Sequence, residues 1–211
     1  LLFSENILNK KSQKDEVNIY FARANVLHKE KNYKASAKYI KLANNLKLDI
    51  KPSQTNIRFN KSKALLIESD EKNIHKKEYS NSSENIFIVG MPRSGSTLLE
   101  SILSMNNNVY DLGEITILEE SFLEWNKSKQ KRNLAELYEK KVNNKTKLKI
   151  TTNKYLYNYQ YAGIIALHIP NAKIIHCHRN PLDNILSIYR AHFSRENDYS
   201  SSLVDCTRVY L

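Results

Sequence analysis

The segment Ile86-Phe-Ile-Val-Gly-Met-Pro-Arg-Ser-Gly-Ser-Thr-Leu-Leu-Glu100 constrains this chain more than any other. Ile86, Phe87, Ile88 and Val89 are β-branched or aromatic without alternation, the pattern of a strand buried on both faces of a parallel sheet. Gly90, Pro92 and Gly95 interrupt that strand, and from Ser96 the apolar residues Leu98, Leu99, Ile102, Leu103 and Met105 recur at helical spacing. A strand, a small-residue loop and a helix in that order aim the loop's backbone N–H groups and the positive end of the helix dipole at one point, which suits an anion.

The loop is P-loop-like but departs from the nucleoside-triphosphate pattern where the chemistry matters. It lacks GxxxxGK[ST], and Arg93 stands in place of the lysine that reaches the β/γ-phosphates, so kinase and ATPase readings lose their support. Taken alone, the segment also fits a small-residue turn before a core helix. A second segment, Lys173-Ile-Ile-His-Cys-His-Arg-Asn-Pro-Leu-Asp-Asn-Ile-Leu-Ser-Ile-Tyr-Arg190, repeats the architecture. A β-rich run ends in a polar turn and enters a helix at Pro181, where proline is well placed.

The two segments together resemble the sulfotransferases, enzymes that pass the sulfuryl group of 3′-phosphoadenosine 5′-phosphosulfate (PAPS) to a hydroxyl or amine. On that resemblance the PRSGST loop holds the 5′-phosphosulfate: Arg93 gives a forked cation, Ser94, Gly95 and Ser96 give backbone donors, and Ser96 and Thr97 give hydroxyls. Arg179 and Ser187 match the pair that holds the 3′-phosphate. Eight residues is close to a whole number of helical turns, so a serine two turns into the helix lies near the face of its start.

Asn108-Val-Tyr-Asp-Leu-Gly-Glu114 resembles the Gly-Glu segment of the tyrosylprotein sulfotransferases and of the bacterial tetratricopeptide-containing sulfotransferases. The resemblance makes Glu114 the base that takes the acceptor's proton, with Asp111 the next candidate, while Glu119 and Glu120 read as surface residues. Thr151-Thr-Asn-Lys154, after a strand expected over Leu148 to Thr151, matches an Asp-Lys-Met-Pro-x-Asn element at Lys154 and Asn158 and departs from it at Asn153, Tyr155 and Leu156. In that element the lysine neutralises charge on the leaving oxygen and sulfuryl group. Loss of the aspartate leaves the orientation of Lys154 open.

Strand-to-helix units at 86–105, 148–168 and 173–194 imply an α/β fold, a parallel sheet flanked by helices. Ligands bind such sheets at the carboxyl ends of the strands, and Arg93, Lys154 and Arg179 all follow expected strands. The first part has a different texture. Helical patterns at Ile19–His28 and Tyr33–Leu46, with a polar turn between, resemble one tetratricopeptide repeat over Asn18 to Leu48. A single repeat needs a neighbour, either further repeats or a helix at Thr55 to Asp70. A polar stretch from Glu71 to Glu84 reads as a linker, with a boundary near Ser82 between a helical tetratricopeptide-like region, 1–82, and a sulfotransferase domain, 83–211. The chain begins with Leu1 and stops in the apolar run Val209-Tyr210-Leu211, so it reads as a fragment truncated at both ends.

Composition bounds the rest. With 211 residues and 41% hydrophobic content the chain can bury a sizeable core. The net charge of +11, from 33 Lys+Arg and 22 Asp+Glu, favours anionic partners. No basic stripe is interleaved with aromatics and no DNA-binding motif is present, so nucleic acid is not an expected partner. His176 and His178 share a strand face, but nothing completes a metal set, and polar strand ends near the ligand edge are the preferred reading. Cys177 reads as a small core residue, and two cysteines so placed point to a reducing, cytoplasmic setting. No stretch is long enough to span a membrane.

The function expected from these residues is PAPS-dependent sulfuryl transfer to a hydroxyl or amine acceptor. The protein tyrosine, carbohydrate, lipid or small molecule that accepts is not specified. The alternative is a non-catalytic tetratricopeptide interaction protein that binds a peptide and carries a degenerate sulfotransferase domain.

Overall fold

The computed structural model describes residues 2–9, 11–70, 83–193 and 195–211. The boundary read at Ser82 and most of the polar linker lie outside the described residues. Two compact units are present, Arg58–Arg179 and Leu1–Ile57 with Asn180–Leu211.

The first unit holds the sheet. Four strands, β1 (Glu84–Gly90), β2 (Val109–Asp111), β3 (Ile150–Asn153) and β4 (Ala172–Cys177), are ordered β2-β3-β1-β4, and every pairing is parallel. Phe87, Ile88, Val89 and Gly90 are all buried, as an unalternating apolar run requires. β3 follows the expected strand, shifted towards its carboxyl end. Its Thr151, Thr152 and Asn153 are buried although polar, and hydrogen bonds answer the two threonine hydroxyls and the Asn153 Oδ1. Thr151 Oγ1 donates to Asn85 Oδ1 at 3.0 Å, and Thr152 Oγ1 donates to Glu100 at 3.1 Å.

Helices α4 (Ser96–Leu103), α5 (Ile117–Lys127), α6 (Leu134–Asn143) and α7 (Ala162–His168) connect the strands. A core around Phe87, Leu118, Phe122, Trp125, Tyr138 and Tyr161 fills one side, with the Phe87 and Tyr138 rings 5.5 Å apart. The apolar residues that recur at helical spacing after Ser96 do not all face the core: Leu98, Ile102 and Met105 are exposed, and Ser96 and Glu100 are the residues α4 buries. Cys177 is half-buried rather than core, because β4 lies at the edge of the sheet and leaves most of its side chains accessible.

In the second unit α1 (Gln13–Lys29) and α2 (Tyr33–Ile50) form an antiparallel hairpin around Val17, Phe21, Ala24, Ile40 and Ala43. Ser12 and Asp15 close a capping box at the start of α1, which satisfies two backbone donors reciprocally. The helix expected at Thr55 to Asp70 is present as α3, and the division between the units falls within it. The hairpin does find a neighbour in its own unit. This is α8 (Pro181–Arg190), whose Tyr189 packs on the hairpin core and accepts a 2.8 Å hydrogen bond from Asn44 through its backbone carbonyl. A last helix, α9 (Leu203–Tyr210), packs on α8.

Truncating Phe87 to alanine removes a fully buried ring from the central strand and is expected to cost about 3–5 kcal/mol of unfolding free energy. Leu98→Ala, on the exposed stripe of α4, should stay within about 0.5 kcal/mol. Denaturant titration of both variants checks the assignment of the α4 faces.

Candidate functional site

Parallel pairing of β2 with β3 builds the centre of the site. The ladder continues past both strands: Leu112 N–H donates to Thr152 O at 3.0 Å, and Lys154 N–H donates to Gly113 O at 2.9 Å. Asp111 Oδ1 accepts from Gly113 N–H at 2.6 Å, and Gly113 adopts a φ of 66°, a conformation that favours glycine. The chain therefore turns directly after β2 and delivers Glu114 beside Lys154. Lys154 Nζ donates to Glu114 Oε1 at 2.5 Å.

The two partners differ in setting. The Lys154 side chain is 6% exposed and that of Glu114 is 65% exposed, so a buried ammonium is capped by a carboxylate that faces solvent. A second carboxylate supports the ammonium from behind. Glu100 Oε2, on the buried face of α4, lies 3.8 Å from Lys154 Nζ. Burial, together with a hydrogen bond to and the like charge of the neighbouring Asp111, raises the Glu100 carboxyl from the ordinary 4.5 to about 7. Lys154 and the Thr152 hydroxyl act in the opposite direction. Sequence reasoning missed Glu100. Its one available signal was helical spacing, since Ser96 and Glu100 lie four residues apart on one face.

Asn153 occupies the place of the resembling element's aspartate and still holds the turn. Its Oδ1 accepts from Tyr155 N–H and from Asn158 Nδ2, both at 3.1 Å. An amide oxygen suffices for both bonds, and Lys154 is oriented by its two carboxylates and by Gly113.

The loop after β1 has the features of an anion cradle. Gly95 caps α4 with φ 97°, contributes no side-chain cap, and has open space where a Cβ would project. Arg93 is exposed with φ 67°, an uncommon conformation for a residue with a side chain. The buried Ser94 Oγ has no hydrogen-bond partner among the described residues, a state that a bound anion would relieve. Ser96 is buried at the first position of the helix and Thr97 is exposed. Arg179 meets this loop from the end of β4, where its guanidinium donates to Arg93 O at 3.2 Å. These residues fit a phosphate- or sulfate-bearing group.

Thus Arg93 with Arg179, and Lys154 with Glu114, are brought together at the carboxyl end of the sheet. Ser187 is half-buried on α8, within the other compact unit. Asn180 caps that helix by accepting from Leu182 N–H and Asp183 N–H, and Pro181 occupies its first turn. Glu119 forms an ion pair with Lys61 at 2.5 Å, while Glu120 is exposed. His176 and His178 are both exposed, and no group of three or more metal-ligating side chains occurs among the described residues. None of the described helices is long and apolar enough to cross a membrane.

Comparison with known proteins places the chain in a family. The sulfotransferase domain family matches residues 83–206. An uncharacterized protein of Aquifex aeolicus (strain VF5) is 30% identical over 137 residues, an alignment that covers 55% of this chain and 18% of that protein. The chain thus spans less than one fifth of the length of the relative it matches. No solved structure matches.

The buried Glu100 carboxyl gives the unfolding free energy a predictable pH dependence. Folded Glu100 binds its proton more tightly than the unfolded chain does, so its contribution is full below about pH 4.5 and is lost as pH rises through about 7. Glu100→Gln should remove that decline. Unfolding curves of both proteins from pH 5 to 8.5 check it, and parallel profiles would contradict the assignment.

Proposed function

The chain belongs to the sulfotransferase domain family, and from that premise we propose that it moves a sulfuryl group from PAPS to a hydroxyl acceptor, with Glu114 as general base. The donor, when bound, supplies an activated sulfuryl group joined to a phosphate leaving group. The loop amides from Ser94 to Ser96, the Ser96 and Thr97 hydroxyls and the Arg93 guanidinium are the groups that hold its 5′ end. On the resemblance, Arg179 and Ser187 are each proposed as ligands of the 3′-phosphate. This last assignment separates PAPS from ATP, which has no 3′-phosphate.

The observation that carries the reading is the contact between Lys154 and Glu114 at the carboxyl end of the sheet. An exposed carboxylate is accessible to an incoming hydroxyl, and the adjoining ammonium fixes its place beside the reacting atoms. As the acceptor oxygen bonds to sulfur, Glu114 takes the hydroxyl proton and the bridging S–O bond breaks. Lys154 then holds the negative charge left on the departing oxygen, and a buried ammonium does this with little reorganisation. The preserved turn at Asn153 favours an active site over a degenerate one. The amino-terminal hairpin is proposed to be a tetratricopeptide-like element, and the acceptor class remains a protein tyrosine, a carbohydrate or another small hydroxyl compound.

In the full-length protein, adenosine 3′,5′-bisphosphate at 100 times its dissociation constant is expected to stabilise the fold by about 2.7 kcal/mol, and ATP by much less. Equal thermal shifts with the two nucleotides would overturn the 3′-phosphate assignment. Glu114→Gln should reduce turnover by about 100-fold or more with little change in nucleotide affinity, and Lys154→Ala should reduce kcat by about 100-fold. Lys154→Arg should rescue poorly, because a planar fork does not replace a compact ammonium at one oxygen. Wild-type kcat in both Lys154 variants would favour the interaction-protein reading.

A further inference from the structure

Lys154 is tied to two carboxylates, and only Glu114 has a part in the transfer described above. Glu100 is 4% exposed, its Oε1 accepts from Thr152 Oγ1 at 3.1 Å, and its Oε2 faces Lys154 Nζ at 3.8 Å. We propose that Glu100 is a positioning residue of the transfer site: its carboxyl, held by Thr152 and Asp111, is the rear anchor of Lys154 and governs how much of the ammonium's charge is free to meet the leaving oxygen. The proposal rests on the sulfuryl-transfer reading.

With Glu100 protonated, Glu114 is the one ionised carboxylate paired with Lys154, and Asp111 is answered by the Glu100 proton and by Gly113 N–H. When Glu100 ionises, Lys154 gains a second counter-charge in buried surroundings, where screening is weak. The ammonium is then offset before a leaving oxygen reaches it and is drawn back towards α4. The groups facing Glu100 are Asp111 from β2 and Thr152 and Lys154 from β3 and its end, with Glu114 reached through Lys154. β1 also packs on α4, but its one titratable residue, Glu84, lies at the opposite end of the strand and pairs with Lys173. The midpoint near pH 7 belongs to a group poised to change state at physiological pH.

The pH profile of kcat then has an alkaline limb from Glu100. For the full-length enzyme the test is the ratio of kcat at pH 8.5 to kcat at pH 6, measured in the wild type and in Glu100→Gln. The wild-type ratio should fall to about one tenth, and the Glu100→Gln ratio should lie near one whatever the absolute rate. A residue that only supports the fold would lower kcat by the same factor at both pH values, so equal ratios in the two proteins would overturn the proposal.

A measurement on the ligand-free protein separates failure of this idea from failure of the transfer reading. With carboxyl-¹³C glutamate, the Glu100 resonance, identified by its loss in Glu100→Gln, should titrate near pH 7 and move to higher pH in Lys154→Met. An unmoved midpoint would overturn the anchoring of Lys154 by Glu100. If that midpoint moves while neither turnover nor stabilisation by adenosine 3′,5′-bisphosphate is found, the anchoring stands. In that case the catalytic part of the proposal falls with the sulfuryl-transfer reading.

Discussion

A lysine ammonium buried at the end of a strand must be answered by opposite charge, and much of this site follows from how that requirement is met. Lys154 could not be 6% exposed without carboxylates within reach, since the desolvation of an unpaired ammonium is strongly unfavourable. The sheet supplies one from each side. Pairing of β2 with β3 carries Glu114 to the ammonium, and packing of α4 on β1 brings Glu100 behind it. The polar residues buried along β3 belong to the same arrangement, because Thr152 bonds Glu100 and Asn153 holds the turn that follows Lys154.

Much of the α/β architecture was legible because two segments carry strong local signals. An unalternating run of β-branched and aromatic residues followed by glycines has the pattern of a strand buried on both faces, and Pro181 after a β-rich run marks a helix start. The resemblance singles out Glu114 and Lys154, but their contact was not legible. It depends on β2, a strand of three residues that is too short to show a period. The facing of α4 was not legible for a related reason. Periodicity finds an apolar stripe, yet it cannot tell that the polar pair Ser96 and Glu100 is wanted inside to serve the site. Cys177 shows the same limit, since a strand's position at an edge is a property of the sheet and not of its own residues.

The family match runs from residue 83 to residue 206 and so includes α8, a helix that packs with the amino-terminal hairpin in one compact unit. Tyr189 and Asn44 join the two through one hydrogen bond, and the proposed 3′-phosphate ligand Ser187 lies on that helix. Sequence texture, which contrasts Ala-rich helices with β-rich runs, reports where secondary structure changes. Compactness reports which elements share a core, and a terminal helix can join the core of a distant segment.

The central claim is that the carboxyl edge of this sheet is one anionic-donor site in which Lys154 meets the leaving oxygen. A crystal structure of the full-length protein with adenosine 3′,5′-bisphosphate tests it most directly. The account predicts the 5′-phosphate on the amides of the loop from Ser94 to Ser96, with Lys154 Nζ within hydrogen-bond distance of a phosphate oxygen and Arg179 at the 3′-phosphate. A nucleotide bound elsewhere, or a 5′-phosphate seated in the loop with Lys154 turned away from it, would contradict it.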